Sequence, residues 1–407
     1  MNEGDIILRE LILLLAVSLP ITFLFHKMRL PALVGFLITG IILGPHGAAM
    51  VTDTTVVERL AEIGVVLLLF TIGLEFSIED VMRQSRQFII GGGLQVLLTI
   101  AAVAGIALSL GFPLPQAVFF GFLASLSSTA IVLKMYSDRT ELDSAHGRLA
   151  TGILLFQDIA VVPMMLLLPV LGQATAQGGV TAFSVLETLF KASVGLVVVF
   201  LAARRIVPFL LHQVIRLQNR EILFLLIVLL CMGTAWTTYS LGLSLALGAF
   251  LAGLIISESE YSHHITANVM PFRDYFASIF FISIGMLLQT GYLAAHWVLV
   301  LGMTALLMGI KTVLVFATAR MLRYPMRNSV LAGLGLAQIG EFAFLLAQQG
   351  SGRGLISGDI YQLFVDTSIL SMLATPLVMQ LAPSLAERFP SGLRQRWTSA
   401  KAWRVNR

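Results

Sequence analysis

Apolar runs of about 20 residues, the length that crosses a bilayer's hydrocarbon core as an α-helix, recur along the whole chain and are separated by short loops that carry most of the charge. The pattern predicts thirteen spans, at approximately 6–25, 30–44, 60–75, 88–110, 116–135, 149–171, 183–203, 221–239, 242–257, 274–289, 292–318, 329–349 and 360–382. Repeated apolar stretches with short polar connections describe one continuous bundle in a lipid bilayer rather than a string of soluble domains. Composition agrees: 57% of residues are hydrophobic and 12% charged, with a mean hydropathy of +0.90, whereas soluble chains carry about a quarter charged residues. Cys231 is the single cysteine and lies within an apolar run, so neither a disulfide framework nor a Cys-based metal site is available. The acidic start, with Glu3 and Asp5 and no basic segment ahead of the first span, predicts no cleaved signal peptide.

The basic residues set the orientation, because cytoplasmic loops collect Lys and Arg. With the N-terminus outside, 21 of the 26 Lys and Arg residues fall on the inner side or in the tail, four fall outside (Arg9, Arg59, Lys191 and Arg353), and Lys311 lies within a span. This asymmetry predicts an odd number of spans, an external N-terminus and a cytoplasmic C-terminus. The net charge of +4 is thereby a topology signal, and no nucleic-acid partner is expected.

A shift of 213 residues lays the chain on itself. Leu30, Gly35 and Gly40 meet Leu243, Gly248 and Gly253; Pro163 meets Pro376; and at almost the same shift Gly73 meets Gly285. Spans one to six thus resemble spans eight to thirteen, with span seven as connector. Equivalent spans lie seven apart, an odd number, so the halves enter the membrane from opposite sides. That is the inverted-repeat plan of secondary transporters, whose binding site lies near mid-membrane where the repeats meet. The same shift pairs two interrupted helices. Span five contains Ser125, Ser127, Ser128 and Thr129, and span twelve contains Gln338, Gly340 and Glu341, with Ser127 and Ser128 falling on Gly340 and Glu341. Hydroxyls and polar neighbours permit a spanning helix to unwind. Ser and Thr also serve close helix packing, but two repeat-related clusters flanking an acid favour two discontinuous helices that cross.

That acid is Asp158, alone within the apolar stretch 153–168. A charge at mid-bilayer costs roughly 2.5–3.5 kcal/mol even on the most lenient insertion scale, so it marks function by default. A desolvated carboxylate attracts protons, and a dehydrated monovalent cation wants the same oxygens. One site that holds either ion, opened alternately to the two sides, yields antiport. Gln157 offers an uncharged amide oxygen to such a site, or else an interhelical hydrogen bond; Ser127, Ser128, Thr129 and unwound carbonyls, aimed at Asp158 by the half-helix ends, complete the shell. Lys311 is the sole basic residue deep in a span, and Asp158 or Glu341 is its available partner, whether for coupling or as a purely structural salt bridge. Glu62 and Glu75 sit near span ends as funnel or interface residues. His263 and His264 have no partners at zinc spacing and are read as a solvated pair.

These residues carry a family resemblance. Ala61-Glu62-Ile63-Gly64-Val65-Val66, Ile72-Gly73-Leu74-Glu75, Leu126-Ser127-Ser128-Thr129-Ala130-Ile131, Phe156-Gln157-Asp158-Ile159, Phe281-Ile282-Ser283-Ile284-Gly285-Met286 and Gln338-Ile339-Gly340-Glu341-Phe342-Ala343-Phe344 resemble the Kef-type potassium-efflux branch of the second family of monovalent cation:proton antiporters. The likeness covers spans two to thirteen. It implies a membrane antiporter domain over about 1–385: a dimerisation part (about 1–87 and 221–290), a linker helix (about 183–206) and a mobile core (about 88–171 and 292–382), with 386–407 as a basic cytoplasmic tail. It also implies a homodimer in the bacterial inner membrane that exchanges potassium, or sodium, for protons without a cofactor. Lys311 would pair with Asp158 when no ion is bound, and Gln338 and Glu341 would take part in coupling.

Two features depart from the Kef pattern. The loop at 265–273 lacks the acidic stretch used there in gating, so glutathione regulation is not expected. Kef-type chains usually continue into a nucleotide-binding regulatory domain, which is absent from this chain; residues 391–407 form a basic segment without a G-x-G-x-x-G. The rivals from other classes are a ligand-gated, potassium channel-like efflux protein, disfavoured by the lack of a filter-like Thr-Val-Gly-Tyr-Gly loop, and an intramembrane aspartyl protease. The protease needs a second mid-membrane aspartate, and Asp366 reads as too shallow, so no enzymatic activity is expected.

Overall fold

The computed structural model describes residues 3–28, 30–51, 55–75, 86–176, 201, 204–214, 216–217, 219–240, 245–257, 259 and 262–388. Helices occupy the predicted positions of spans one to six and eight to thirteen; span seven apart from residue 201, the tail from residue 389 and the side chains of Glu75, His263 and His264 lie outside the described residues. The first half comprises α1 (Glu3–Lys27), α2 (Ala32–Leu43), α3 (Thr55–Glu75), a π-helical turn (Arg86–Gly92) running into α4 (Gly93–Ser109), α5 (Leu114–Ser125), α6 (Thr129–Asp138) and α7 (Ala145–Ala176). The second comprises α8 (Arg220–Ser240), α9 (Leu245–Ser257), α10 (Ser262–Met286), the short α11 (Thr290–Ala295), α12 (Trp297–Met321), α13 (Met326–Gly335), α14 (Glu341–Ser351) and α15 (Gly358–Ala386). Among the described residues there is no strand, and seven helical spans are long and apolar enough to cross a membrane: 88–109, 114–138, 145–175, 221–240, 269–286, 297–321 and 358–386. Shorter apolar helices cover 12–27, 32–43 and 247–257.

The helices pack in two groups. In one, α3 lies against α9 and α10, and α2 against α1 and α10; in the other, α4 packs on α5, and α12, α13 and α15 pack on one another beside α7. The glycines matched by the 213-residue shift make two close crossings in the first group. A Cβ on Gly40 would collide with Ile282 O where α2 meets α10 at Gly285, and a Cβ on Gly73 would collide with Phe250 O where α3 meets α9 at Gly253. Small residues of this kind let helix backbones touch, which is where apolar helices in lipid gain their packing energy.

Both interrupted helices are present. Between α5 and α6, Leu126 and Ser128 are extended (φ −85°, ψ 138° and φ −75°, ψ 108°), and Ser128 Oγ caps α6 by accepting from Ile131 N at 3.3 Å. Between α13 and α14 the chain leaves helical geometry after Gly335 and re-enters it after an extended Gly340 (φ −95°, ψ 173°). The two breaks touch. A Cβ on Gly340 would collide with the main chain of Ser127 and Ser128, so only glycine permits this approach. Gly340 N donates to Leu126 O at 3.1 Å, and Ser127 Oγ donates to Leu336 O at 3.0 Å.

Candidate ion-exchange site at the crossed helix breaks

Unwinding a helix inside an apolar bundle frees main-chain groups, each costing about 1–3 kcal/mol if it stays unpaired. Side chains from four neighbouring helices take up those freed here. Gln157 Oε1 on α7 accepts from Ser127 N at 2.7 Å, and Gln95 Nε2 on α4 donates to Ser125 O at 3.2 Å. In the other break Ser371 Oγ on α15 accepts from Ile339 N at 3.1 Å. Lys311, fully buried on α12, donates to Leu126 O and Gln338 O, both at 2.6 Å, and thereby ties one carbonyl from each break to a single ammonium.

Charge is distributed to suit the four half-helix ends. The C-terminal ends of α5 and α13, where carbonyls accumulate, face the Lys311 cation, while the N-terminal ends of α6 and α14, where N–H groups accumulate, meet acids. Asp158, 3% exposed, accepts from Thr129 Oγ1 at the first position of α6, at 2.9 Å to Oδ1 and 3.1 Å to Oδ2. Glu341 opens α14 and is 2% exposed; the Ser128 hydroxyl and the Ala130 main chain neighbour its carboxylate. Three polar atoms at the crossing are buried without a hydrogen-bond partner: Gln338 Oε1, Gln338 Nε2 and Glu341 Oε2. Buried polar atoms are normally paired, and these three are half of the buried unpartnered side-chain atoms among the described residues.

The structure brings Asp158, Thr129, Ser127, Ser128, Gln157, Lys311, Gln338 and Glu341 to the two breaks and their immediate neighbours. Their roles differ from the sequence reading in two respects. The half-helix carbonyls Leu126 O and Gln338 O, expected to face Asp158, accept from Lys311 Nζ. Gln157 makes the interhelical hydrogen bond that stood as its alternative role, with Nε2 donating to Gln95 Oε1 at 2.7 Å. Gln95 and Ser371 were not singled out. The first had a signal, an amide within an apolar span; the second lies opposite Asp158 under the 213-residue shift. Asp366 is buried within the protein, with Oδ1 accepting from Gln362 Nε2 at 2.6 Å and from Gln289 N at 3.3 Å. Glu62 lines a cavity of about 500 Å³ between the two helix groups, together with Ser283, Phe344, Gln348, Arg353 and Tyr361.

Comparison with known proteins agrees with this architecture. The K(+) efflux antiporter 5 of Arabidopsis thaliana is 38% identical over 364 residues, covering 88% of this chain and 64% of its own length. The K(+) efflux antiporter 4 of the same plant is 38% identical over 373 residues, covering 91% of this chain and 62% of its own. The chain therefore spans a little under two thirds of the length of these curated relatives. The solved structure of the sodium proton antiporter MjNhaP1 from Methanocaldococcus jannaschii superposes with a TM-score of 0.67 at 16% identity, over 95% of this chain and 99% of that one, a likeness of fold. Residues 12–380 match the family described as sodium/hydrogen exchanger, transmembrane. The chain belongs to that family, in its Kef-type branch of cation:proton antiporters.

Proposed function

We propose that this chain exchanges a monovalent cation for protons across a membrane by alternating access, with the two ions competing for Asp158. The observation that carries the reading is the Asp158 carboxylate, buried against the Thr129 hydroxyl at the N-terminal end of a half-helix and beside a crossing with unpartnered polar atoms. A cation that sheds water needs oxygens in return, and the same carboxylate cannot hold a proton at the same time. Potassium is the favoured cargo on the names of the Arabidopsis relatives, with sodium as the other candidate on that of the structural neighbour.

The rest follows as one scheme. The group α1–α3 with α8–α10 is the dimerisation scaffold of a homodimer, and α4–α7 with α12–α15 is the core that moves against it. The paired glycine crossings and the two crossed breaks support the inverted repeat, and the excess of basic residues supports an external N-terminus in a bacterial inner membrane. The cavity lined by Glu62 and Arg353 lies on the seam between the groups, where water and ions would enter.

The test uses proteoliposomes loaded with a pH-sensitive dye and challenged in turn with potassium, sodium and lithium. Wild-type protein gives a cation-driven pH change and Asp158→Asn gives none. Exchange that survives Asp158→Asn removes the proposed site, and cation flux without proton movement favours the channel reading.

A further inference from the structure

We propose that Gln95 is a positioning residue of this exchange site, acting through Gln157, an inference that rests on the reading of Asp158 as the exchanging carboxylate. Gln95 is fully buried and Gln157 is 1% exposed. Their side chains form a single line of hydrogen bonds that begins and ends on the main chain of the first break. Ser125 O accepts from Gln95 Nε2 at 3.2 Å, Gln95 Oε1 accepts from Gln157 Nε2 at 2.7 Å, and Gln157 Oε1 accepts from Ser127 N at 2.7 Å.

The main chain fixes the direction of this line. At one end stands a carbonyl, which demands a donor; at the other stands an N–H, which demands an acceptor. Each amide offers one of each, so both glutamines are locked in a single orientation. Thr99 reinforces it: its hydroxyl donates to Gln95 O at 2.8 Å and accepts from Gln95 Nε2 at 3.1 Å. The chemical requirement at position 95 is thus a neutral side chain that donates and accepts at once, which neither a carboxylate nor a hydrocarbon of the same size provides.

The consequence falls on the ion site. Ser127, held by Gln157, stands two residues before Thr129, and Gln157 stands next to Asp158. The Ser127–Gln157 and Thr129–Asp158 contacts are two adjacent rungs between the break and α7. Without Gln95 the Gln157 amide loses one of its two anchors, its grip on Ser127 N loosens, and the hydroxyl that faces Asp158 is held less firmly.

The experiment measures exchange by the full chain in proteoliposomes for Gln95→Met, Gln157→Met and the double variant, with half-saturating potassium and sodium concentrations read separately from maximal rate. Methionine keeps the volume, so a residue that merely packs α4 against α5 would tolerate it. The expected result is a rise of about tenfold in half-saturating cation for either single variant, the scale of one lost buried hydrogen bond, with a smaller change in maximal rate. The double variant should be no worse than Gln157→Met alone, because Gln95 acts through Gln157. Wild-type half-saturation in Gln95→Met, or multiplying effects in the double variant, overturns the inference. If Gln95→Met does not survive purification, Gln95→Glu carries the same test, since it can still accept from Gln157 but opposes Ser125 O with negative charge. Asp158→Asn runs alongside: a silent Asp158→Asn with an unaffected Gln95→Met sinks only the role of Gln95, whereas an active Asp158→Asn sinks the reading beneath it.

Discussion

Replacing Thr129 with valine removes one hydroxyl at nearly constant shape and isolates the contact on which the proposed exchange mechanism depends. Thr129 Oγ1 shares its proton between the two Asp158 oxygens at 2.9 and 3.1 Å. A hydrogen bond to a charged group contributes about 1.5–3 kcal/mol, and solvent reaching a partly buried position recovers part of it, so the low end applies. The bond favours the ionised carboxylate, the form a cation needs. Its loss lets the proton compete better, so the sign is fixed: at a given pH the cation binds more weakly, and exchange requires a more alkaline medium. About 1.4 kcal/mol corresponds to tenfold in binding or to one pH unit. Thr129→Val should therefore raise half-saturating potassium or sodium about tenfold and move the pH profile alkaline by about one unit, while Thr129→Ser, which keeps the hydroxyl, stays close to wild type. The assay is dye-reported exchange in proteoliposomes across a pH series, with protein amount matched. Coincident pH profiles and half-saturation for wild type and Thr129→Val would refute the claim that this hydroxyl tunes the competition.

Two further perturbations probe the crossing itself. Gly340→Ala forces a Cβ into the main chain of Ser127 and Ser128, atoms that cannot rotate away; overpacking of about 1–3 kcal/mol should lower the unfolding temperature and cut exchange at least about tenfold. Gly302→Ala, where nothing lies within 4 Å of the added carbon, should leave both unchanged, and an active, stable Gly340→Ala would show that the breaks need not touch. Lys311→Met leaves Gln338 O without its donor, at about 1–3 kcal/mol, and leaves Leu126 O with Gly340 N alone, but also relieves an ammonium of its burial, which costs several kcal/mol. Opposite signs predict a net stability change within about 2 kcal/mol together with a clear loss of maximal rate; thermal unfolding and exchange measured on one preparation separate the two, and unaltered transport would reduce Lys311 to a filler of space.

Much of this molecule was legible one residue at a time. The apolar runs, the lone acid at 158, the lone base at 311 and the Ser/Thr and Gly clusters of the two breaks stand out because lipid penalises charge and freed backbone so heavily that each exception is visible. The 213-residue shift picked out Gly40, Gly73, Gly253 and Gly285, but that they form the Gly40/Gly285 and Gly73/Gly253 crossings came only from the structure. Gln157 shows the limit. Its neighbour Asp158 and its chemistry suggested a ligand, but an amide serves a cation and a peptide group equally well, and only the position of Ser127 N and Gln95 Oε1 decided between them.

The sequence by itself determined which side chains could not be ordinary residents of a membrane, because that depends on transfer from water to hydrocarbon and hence on residue type alone. Tertiary structure decided their partners. Lys311 Nζ reaches Leu126 O across 185 residues of chain and Ser127 Oγ reaches Leu336 O across 209, and a hydrogen bond depends on distance and direction that no spacing along the chain encodes. The buried acid was therefore foreseeable, whereas the amide line behind it, the carbonyls on the lysine and the contact of the two breaks at Gly340 existed only once the helices had crossed.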